Sequence, residues 1–256
     1  MEIKDIDFSY GDADFIKALS GNIEKGKITT ILGPNGCGKS TLLNLLVNQL
    51  RPHKGEVFID GKSMKKMSIK EIAKKMSMVH QQNTAPSDIT IERLVRFGRM
   101  PYQTIFSSQD NDSEEVIQWA LEVTNLKEMS NKRVGQLSGG ERQRAWIAMA
   151  LAQKTEILFL DEPTTYLDIY YQLEILNLVR KLNREYDMTI VMVLHDINQA
   201  MQFSDNLIVM SKGKICYKGK ASDAITEERL KEVYGINATI QWSKENNCPY
   251  MIPIVV

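Results

Sequence analysis

Hydrophobic and polar positions along the chain follow two different periods, which together predict alternating strands and helices. Near the N-terminus, Ile6, Phe8 and Tyr10 alternate with polar residues, as in a strand with one buried face. Ile157–Leu160 and Ile190–Leu194 are instead continuous apolar runs, which are typical of parallel strands buried on both faces. Further short strands are predicted at Lys27–Leu32, Gly55–Ile59 and Met76–His80.

Helical patterns occupy the middle of the chain, from about residue 86 to residue 150, where strand patterns are weak. Apolar residues at helical spacing also lie between the two buried strands, at Leu173, Leu176, Val179 and Leu182. Val209–Tyr217 predicts a hairpin that turns at its Lys-Gly pair.

These patterns predict a single domain over residues 1–256. We expect an α/β core at 1–85 and 150–215, a helical insert at 86–149 and a C-terminal extension at 216–256. The length suits such a domain, because it gives enough chain to bury a sizeable core.

Composition and charge narrow the function classes. The chain has 256 residues, of which 43% are hydrophobic and 25% charged, as in an ordinary globular protein. Because 32 basic residues balance 32 acidic ones, general nucleic-acid binding through a dominant positive field is not expected. The longest apolar run, Ala145–Ala152, is short of the roughly 20 residues of a membrane span. With three widely spaced cysteines and no leader pattern at the N-terminus, we expect a cytosolic protein.

A glycine-rich segment after the strand Lys27–Leu32 predicts a phosphate site. Residues 33–40 read GPNGCGKS and match the pattern GxxxxGK[ST], and an apolar helical pattern follows them. Glycines let backbone N–H groups turn inward around phosphate oxygens, and the helix N-terminus adds its positive dipole end. Lys39 is expected to neutralise the β- and γ-phosphates, and Ser40 to offer its hydroxyl oxygen to Mg²⁺.

Carboxylates and a histidine follow the two buried strands. Asp161 and Glu162 end the run Ile157–Leu160, where ligands bind in open α/β folds. We expect Asp161 to hold Mg²⁺ through water and Glu162 to orient or deprotonate the attacking water. His195 ends the second run and is expected to contact the γ-phosphate, although a lone histidine is more often structural.

Residues 137–144, LSGGERQR, resemble the LSGGQ signature of ATP-binding cassette (ABC) ATPases. A serine and two glycines that open an apolar helix form a second anion-binding N-terminus. The same residues also predict an ordinary capping box, with Ser138 as N-cap and Glu141 as its acid. Because the segment lies about 20 residues before Asp161 and Glu162, the chain is identified as a member of the ABC ATPase family.

The resemblance covers essentially the whole chain. It implies an α/β fold of the P-loop ABC-ATPase type, with an N-terminal antiparallel β subdomain and an inserted α-helical signature subdomain. It also implies ATP and Mg²⁺ as ligands. The residues that match the family's nucleotide contacts are Tyr10 against adenine, the P-loop residues Gly33, Pro34, Asn35, Gly36, Cys37, Gly38, Lys39, Ser40 and Thr41, the signature residues Ser138, Gly139, Gly140 and Glu141, and Asp168 at the end of the D-loop. The residues that match its catalytic positions are Glu162, His195 and Gln81. Those that match its metal-binding positions are Ser40, Gln81 and Asp161.

Members of this family work as head-to-tail dimers, so the resemblance implies that ATP binding pairs two copies and that Ser138 and Gly140 act in trans. Four departures from the family pattern bear on the site, the first of which is His80 before Gln81, where proline is common. The adjacent Gln81 and Gln82 leave the glutamine assignment open by one residue. Tyr166 adds a bulky side chain to the D-loop. Cys37 stands where serine or alanine is usual and is either a harmless small residue or, because a helix N-terminus lowers a cysteine pKa, a reactive thiol.

Residues 97–102, FGRMPY, resemble a segment of the cassettes that serve iron-siderophore, haem and cobalamin importers. This resemblance favours import of an iron chelate through a separate membrane permease dimer, at the cytoplasmic face of the membrane, with a substrate-binding protein as an indirect partner. Alternatives are a cobalamin, haem or other metal importer, or a soluble ABC ATPase such as an iron–sulfur assembly factor. A groove near residues 85–102 is expected to receive the permease, so charge reversal at Arg99 should weaken transport more than basal ATPase activity.

Overall fold

The computed structural model describes residues 1–11, 14–102 and 111–254. Within these residues the strands are β1 Glu2–Ser9, β2 Asp14–Asn22, β3 Ile28–Leu32, β4 Lys54–Ile59, β5 Lys62–Ser63, β6 Met76–Val79, β7 Ile157–Asp161, β8 Thr189–Val193, β9 Asn206–Ser211, β10 Lys214–Lys220, β11 Ala238–Ser243 and β12 Cys248–Pro253. The α-helices are α1 Lys39–Leu46, α2 Ile69–Ala73, α3 Ile91–Arg96, α4 Asn111–Val123, α5 Gly139–Ala152, α6 Ile169–Tyr186, α7 Ile197–Phe203, α8 Ala221–Ala224 and α9 Glu227–Tyr234. Short 3₁₀ turns lie at Met64–Lys66, Phe97–Tyr102, Lys127–Met129 and Val134–Gln136.

The chain divides into two compact units. The first consists of Met1–Met67 with Asp187–Val256, and the second of Ser68–Tyr186. No helix in the described part of the chain is long and apolar enough to span a bilayer.

An antiparallel sheet in the order β2-β1-β4-β5 forms one part of the first unit. Ile6 and Phe8 are buried as their alternation predicts, because one face of a strand carries every second residue. Tyr10 does not continue that face: it follows the end of β1 and is exposed. The alternating pattern therefore predicts the strand correctly but places its end one residue too late.

Strands in the order β10-β9-β3-β8 form the second part of the first unit. β3 pairs in parallel with both β8 and β9, and every residue of β3 and β8 is buried. β9 and β10 form the predicted hairpin, in which Lys212 and Gly213 both adopt positive φ, 48° and 74°. Two consecutive residues of positive φ match the right-handed twist of the strands that they join.

The C-terminal residues belong to the same unit. β11 and β12 form an antiparallel hairpin, and β12 contacts α7 through Asn198. The Asn198 amide donates to the carbonyl of Met251 at 3.1 Å and accepts from its N–H at 2.7 Å, so it pairs with the strand as a neighbouring peptide would. The expected boundary between core and extension, at residue 215, falls inside β10.

The second unit contains the parallel pair β6–β7 and the helices α3, α4, α5 and α6. α5 packs against α3, α4 and α6, and its residues from Ala145 to Ala152 are buried except Met149. On α6, Leu176, Val179 and Leu182 are buried as predicted, whereas Leu173 is 38% exposed. The helical period thus predicts the inner face of α6 but extends it one turn too far towards its N-terminus.

Candidate nucleotide-binding site

The P-loop and His195 follow neighbouring strands of the first unit. Ile31 of β3 lies beside Val193 of β8, and the two strands run in parallel. Their carboxyl ends therefore meet at one edge, which is where ligands bind in open parallel sheets. His195 follows β8 at this edge and is exposed, and Asp196 caps α7 by accepting from the N–H of Gln199 at 2.8 Å. His195 and the P-loop thus follow neighbouring parallel strands, as the sequence predicts.

Two glycines of the P-loop are required by its backbone. Gly33 has φ 154°, and a Cβ there would lie 2.3 Å from the carbonyl oxygen of Met210 and 2.5 Å from the Cys37 sulfur. Gly38 has φ 108° and precedes α1 without any side-chain cap. The first N–H groups of α1 therefore point into the loop without a capping side chain, the arrangement that binds anions at helix N-termini.

Lys39 is folded back over its own loop. Its ammonium donates to the carbonyl oxygens of Gly33 at 2.9 Å and Pro34 at 3.0 Å, and the residue is buried. A positive charge thus lies inside the turn formed by residues 33–38. Thr41, the third residue of α1, hydrogen-bonds with the hydroxyl of Tyr10 at 3.2 Å. That contact ties the aromatic residue expected at adenine to the helix expected at the phosphates.

Tyr10 presents a large exposed ring beside the P-loop helix. The residue is 62% exposed, and its ring lies edge-on to Phe8 and near Phe15. An aromatic face held in place by other aromatic residues and left open to solvent can stack on a planar ligand. Tyr10 therefore has the exposure that an adenine contact requires.

Cys37 is a buried thiol, only 4% exposed. Burial raises its pKa above the ordinary cysteine range, although the ammonium of Lys39 acts in the opposite direction. The reactive-thiol alternative requires a lowered pKa, so the buried sulfur favours the alternative of a small residue without such a role. The reactive-thiol alternative counted the helix N-terminus without the desolvation of the sulfur, which the sequence does not display.

Gln81 and Glu162 meet in the second unit. They follow the parallel strands β6 and β7, and the Gln81 amide donates to the Glu162 carboxylate at 2.5 Å. Gln81, the first of the two adjacent glutamines, is thus the one that reaches this carboxylate. Glu162 also accepts from the hydroxyl of Thr165 at 3.1 Å, and its φ of 51° is strained for a residue other than glycine. Asp161, the last residue of β7, is buried.

The signature segment forms the predicted capping box at the start of α5. The Ser138 hydroxyl accepts from the N–H of Glu141, and the Glu141 carboxylate accepts from the N–H of Ser138 at 2.7 Å. The Ser138 N–H is the largest cause of the lowered pKa of Glu141, and Lys132 adds to it from 3.3 Å. Ser138 and Gly139 are exposed, so the N-terminus of α5 is open to a ligand from outside this unit.

The start of α6 packs against the N-terminal turn of α5. Gly140 is buried against α6, and a Cβ there would lie 2.5 Å from Cδ1 of Tyr171. Asp168 caps α6 by accepting from the N–H of Tyr171 at 3.2 Å. Tyr166 is 85% exposed with φ 64°, so the D-loop presents a bulky aromatic side chain to solvent.

Contact with the permease would require Arg99 to lie on the surface. The structure instead buries this residue. It is 4% exposed, and its guanidinium donates to the carbonyl oxygen of Ala152 at 2.9 Å and to the Ser113 hydroxyl at 3.1 Å. The ring of Tyr102 lies 4.0 Å from its guanidinium carbon. Arg99 therefore joins the 97–102 segment to the C-terminal end of α5, and the exposed apolar residues of this segment are Phe97 and Met100.

The sequence did not predict three residues that hold the site residues in place. Thr165 holds Glu162, Lys132 pairs with Glu141, and Tyr171 backs Gly140. The first of these lies three residues from its partner, at the spacing where Ser and Thr side chains bond to nearby groups, and could have been found from that spacing. The other two depend on packing between separate elements and leave no local signal.

Comparison with known proteins identifies the family. Residues 16–165, more than half of the chain, match the sequence profile of the ABC transporter family, whose members bind ATP. The chain is 46% identical over 249 residues to the iron(3+)-hydroxamate import ATP-binding protein FhuC of Bacillus subtilis (strain 168), covering 97% of this chain and 93% of that protein.

Solved structures show the same fold. A metal-chelate type ABC transporter in an inward-facing conformation superposes with a TM-score of 0.85 at 28% identity, covering 99% of this chain and 96% of that one. A dimeric ATP-binding cassette in a post-hydrolysis state, bound to ADP and phosphate, gives 0.73 at 30% identity, covering 86% and 98%. The predicted α/β ABC-ATPase fold is thereby confirmed. The chain belongs to the ABC transporter family, as one of its ATP-hydrolysing cassettes.

Proposed function

We propose that this chain energises the import of an iron chelate of the siderophore type through a separate membrane permease. The observation that carries the transport part is the similarity to an iron-hydroxamate import protein over nearly the whole length of both chains. The likeness to a metal-chelate type transporter supports it. The observation that carries the ATPase part is the placement of site residues after neighbouring parallel strands. The P-loop and His195 follow β3 and β8, and Gln81 and Glu162 follow β6 and β7 and are hydrogen-bonded.

ATP binds first to the P-loop of one copy. The backbone N–H groups of residues 35–41 surround the phosphates, and the adenine ring stacks on Tyr10. The Lys39 ammonium exchanges the carbonyl oxygens of Gly33 and Pro34 for the β- and γ-phosphate oxygens, which carry full negative charge. What supports this exchange is that the ammonium is already inside the turn, so only its contacts change.

The residues expected at Mg²⁺ fit that ion by their chemistry. Ser40, Gln81 and Asp161 offer a hydroxyl, an amide and a carboxylate oxygen, which are the hard donors that Mg²⁺ prefers. The described residues contain no cluster of three or more His, Cys, Asp or Glu side chains able to hold a metal. Mg²⁺ keeps several waters and substrate phosphates in its shell, so few protein ligands would be needed. When bound, it neutralises charge that develops on the β- and γ-phosphates.

Hydrolysis uses the carboxylate of Glu162. It accepts a proton from a water whose oxygen attacks the γ-phosphorus, while the bond from that phosphorus to the bridging oxygen breaks and ADP leaves. The contacts of Gln81 and Thr165 with Glu162 support this role, because they aim the carboxylate in a strained backbone conformation. His195 donates a hydrogen bond to the γ-phosphate and so stabilises its charge.

A second copy completes each site. Ser138, Gly139 and Gly140 of one copy contact the γ-phosphate held by the other, and Glu141 fixes the Ser138 backbone through the capping box. Asp168, at the end of the D-loop, lies at the same interface between the two copies. The open N-terminus of α5 supports this arrangement, because exposed N–H groups at a helix start bind anions. The dimeric cassette among the similar structures supports the pairing of two copies. The head-to-tail arrangement and closure on ATP follow from the family resemblance.

The permease contact involves residues 85–102, at the cytoplasmic face of the membrane, and the substrate-binding protein is reached only through the permease. Phe97 and Met100 are the exposed apolar residues there, 45% and 61% exposed. A Met100→Asp variant is expected to lose the ATPase stimulation that the permease gives while keeping the basal activity of the isolated chain. Equal loss of both activities would contradict this contact.

Reconstitution with the permease in vesicles tests the whole proposal. Iron-loaded hydroxamate, haem and cobalamin are compared as the transported compound, each with its binding protein, and ATP hydrolysis is measured. We expect the iron chelate alone to stimulate hydrolysis, and Glu162→Gln to abolish hydrolysis while ATP still binds. Stimulation by cobalamin or haem instead would overturn the substrate assignment. Full activity of Glu162→Gln would overturn the assignment of the base.

A further inference from the structure

Glu141 places a full negative charge in the first turn of α5, beside the N–H groups that are expected to bind phosphate. Its carboxylate accepts from the Ser138 N–H at 2.7 Å, and its side chain is only 18% exposed. Hydrogen bonding by that N–H lowers the pKa of Glu141, so the carboxylate is ionised at neutral pH. The N-terminus of α5 therefore carries a fixed anion of its own, next to the position proposed to receive the γ-phosphate of the other copy.

This carboxylate stabilises the helix but opposes the ligand. An acidic side chain near a helix N-terminus interacts favourably with the helix dipole. The γ-phosphate uses the same dipole and the neighbouring N–H groups, and two anions that share them repel each other. Glutamine, which the LSGGQ pattern has at this position, forms the same capping box without the charge. With glutamate here, a cation is needed to keep the segment from repelling the phosphate.

Lys132 supplies that cation from outside the helix. Its ammonium lies 3.4 Å and 3.3 Å from the two carboxylate oxygens of Glu141. The backbone of the lysine is fixed on another element, because its carbonyl accepts from the N–H of Ile91, the first residue of α3, at 3.0 Å. Arg144, one turn further along α5, is paired with Glu174 at 2.8 Å. The charge of Lys132 thus offsets that of Glu141.

We propose that Lys132 is a positioning residue for the ATP-bound dimer, which acts through Glu141. By neutralising this carboxylate, it lets the N-terminus of α5 present its N–H groups to the γ-phosphate of the other copy without a net negative charge. The ion pair at the start of the signature helix carries this inference, which rests on the proposed head-to-tail dimer. The consequence is that ATP-driven dimerisation follows the summed charge of residues 132 and 141, and not the presence of the lysine itself.

Dimerisation of charge variants tests the proposal. The parent is the full chain with Glu162→Gln, which binds ATP without hydrolysing it, and the dimer Kd in ATP is measured by sedimentation. Lys132→Met leaves a net negative charge and should weaken the dimer about four- to twenty-fivefold, because each of two sites loses a factor of about two to five. Glu141→Gln leaves a net positive charge and should not weaken it. The double variant Lys132→Met/Glu141→Gln is neutral, as the original pair is, and should dimerise within about twofold of the parent.

Lys132→Arg is the matched control, because it keeps the charge and should dimerise as the parent does. ATP affinity of the monomer should be unchanged in every variant, since Glu141 acts on the nucleotide of the other copy. The Tm of every variant should stay near that of the parent, because a partly exposed ion pair contributes little to stability. Salt of about 0.5 M should reduce the loss in Lys132→Met, because it screens partly exposed charges.

A double variant that dimerises as weakly as Lys132→Met would overturn the proposal, because the lysine would then contact the phosphate itself or support the fold. A loss in Lys132→Met that does not change with salt would overturn it too. Absence of any ATP-dependent dimer of the parent would instead refute the proposed head-to-tail dimer, and with it this role of Lys132.

Discussion

Replacing Arg99 by methionine should destabilise the protein strongly. The same replacement of a surface arginine would be expected to change stability little. The guanidinium donates to Ala152 and Ser113 and lies 4.0 Å from the Tyr102 ring centre. Methionine has a similar length and no charge, so the variant removes these bonds with little change in volume. Because the residue is only 4% exposed, water cannot replace them.

The magnitude follows from the contacts. A charged donor to a carbonyl contributes about 1.5–3 kcal/mol, and a desolvated cation–π contact contributes about 2 kcal/mol. Release of the buried charge in Arg99→Met offsets part of this loss. The free energy of unfolding should fall by about 2–4 kcal/mol, which lowers the Tm by about 5–12 °C in a domain of this size. Charge reversal with Arg99→Glu should cost more, because it aims a carboxylate at the Ala152 carbonyl.

Urea unfolding of the purified chain, followed by tryptophan fluorescence, measures the difference. Met100→Ala is the matched control. The side chain of Met100, next to Arg99 in the sequence, is 61% exposed, so its removal should change the free energy of unfolding by less than about 0.5 kcal/mol. A change below about 1 kcal/mol for Arg99→Met, together with loss of transport, would refute the structural role and restore the role at the permease.

Three further predictions concern the site residues. Gly140→Ala should reduce ATPase activity more than Gly139→Ala, because its Cβ would lie 2.5 Å from Tyr171, whereas that of Gly139 would lie 3.1 Å from Leu167; steady-state assays of both variants check this. The pKa of Glu141 is lowered, chiefly by the Ser138 N–H, so its contribution to stability is present above the unfolded pKa of about 4.3 and is lost as pH falls through the folded pKa. Unfolding curves from pH 3 to pH 7 should show this loss in the wild type and a smaller one in Glu141→Gln; parallel curves would contradict it. Because burial raises the pKa of Cys37, maleimide should label the exposed Cys216 first at pH 7, and peptide mapping that finds Cys37 labelled first would contradict this reasoning.

Local sequence predicted the parts of the site that are built from neighbours in the chain. The P-loop and the capping box of Ser138 and Glu141 each depend on a short continuous segment, and both segments have the predicted local structure. The strand after which each site residue falls was also predictable, because buried parallel strands have continuous apolar runs. Side-chain burial was not predictable. Arg99 was expected at the surface and is instead buried against Ala152 and Ser113, which are distant in sequence.

The end of α5 shows which physical signal could have revealed the role of Arg99. Helices commonly end at a glycine, whose left-handed conformation lets the chain turn back and satisfy the last carbonyls. Here Lys154 takes that conformation, with φ 52°, and its N–H bonds to Leu151, while the carbonyl of Ala152 needs a donor from elsewhere. A buried helix end without glycine requires such a donor, and an arginine reaches further than any other side chain. Since Gly98 permits close approach to the carbonyl of Met149, Gly98 and Arg99 act together: one residue lets the 97–102 segment touch the end of α5, and the other holds it there.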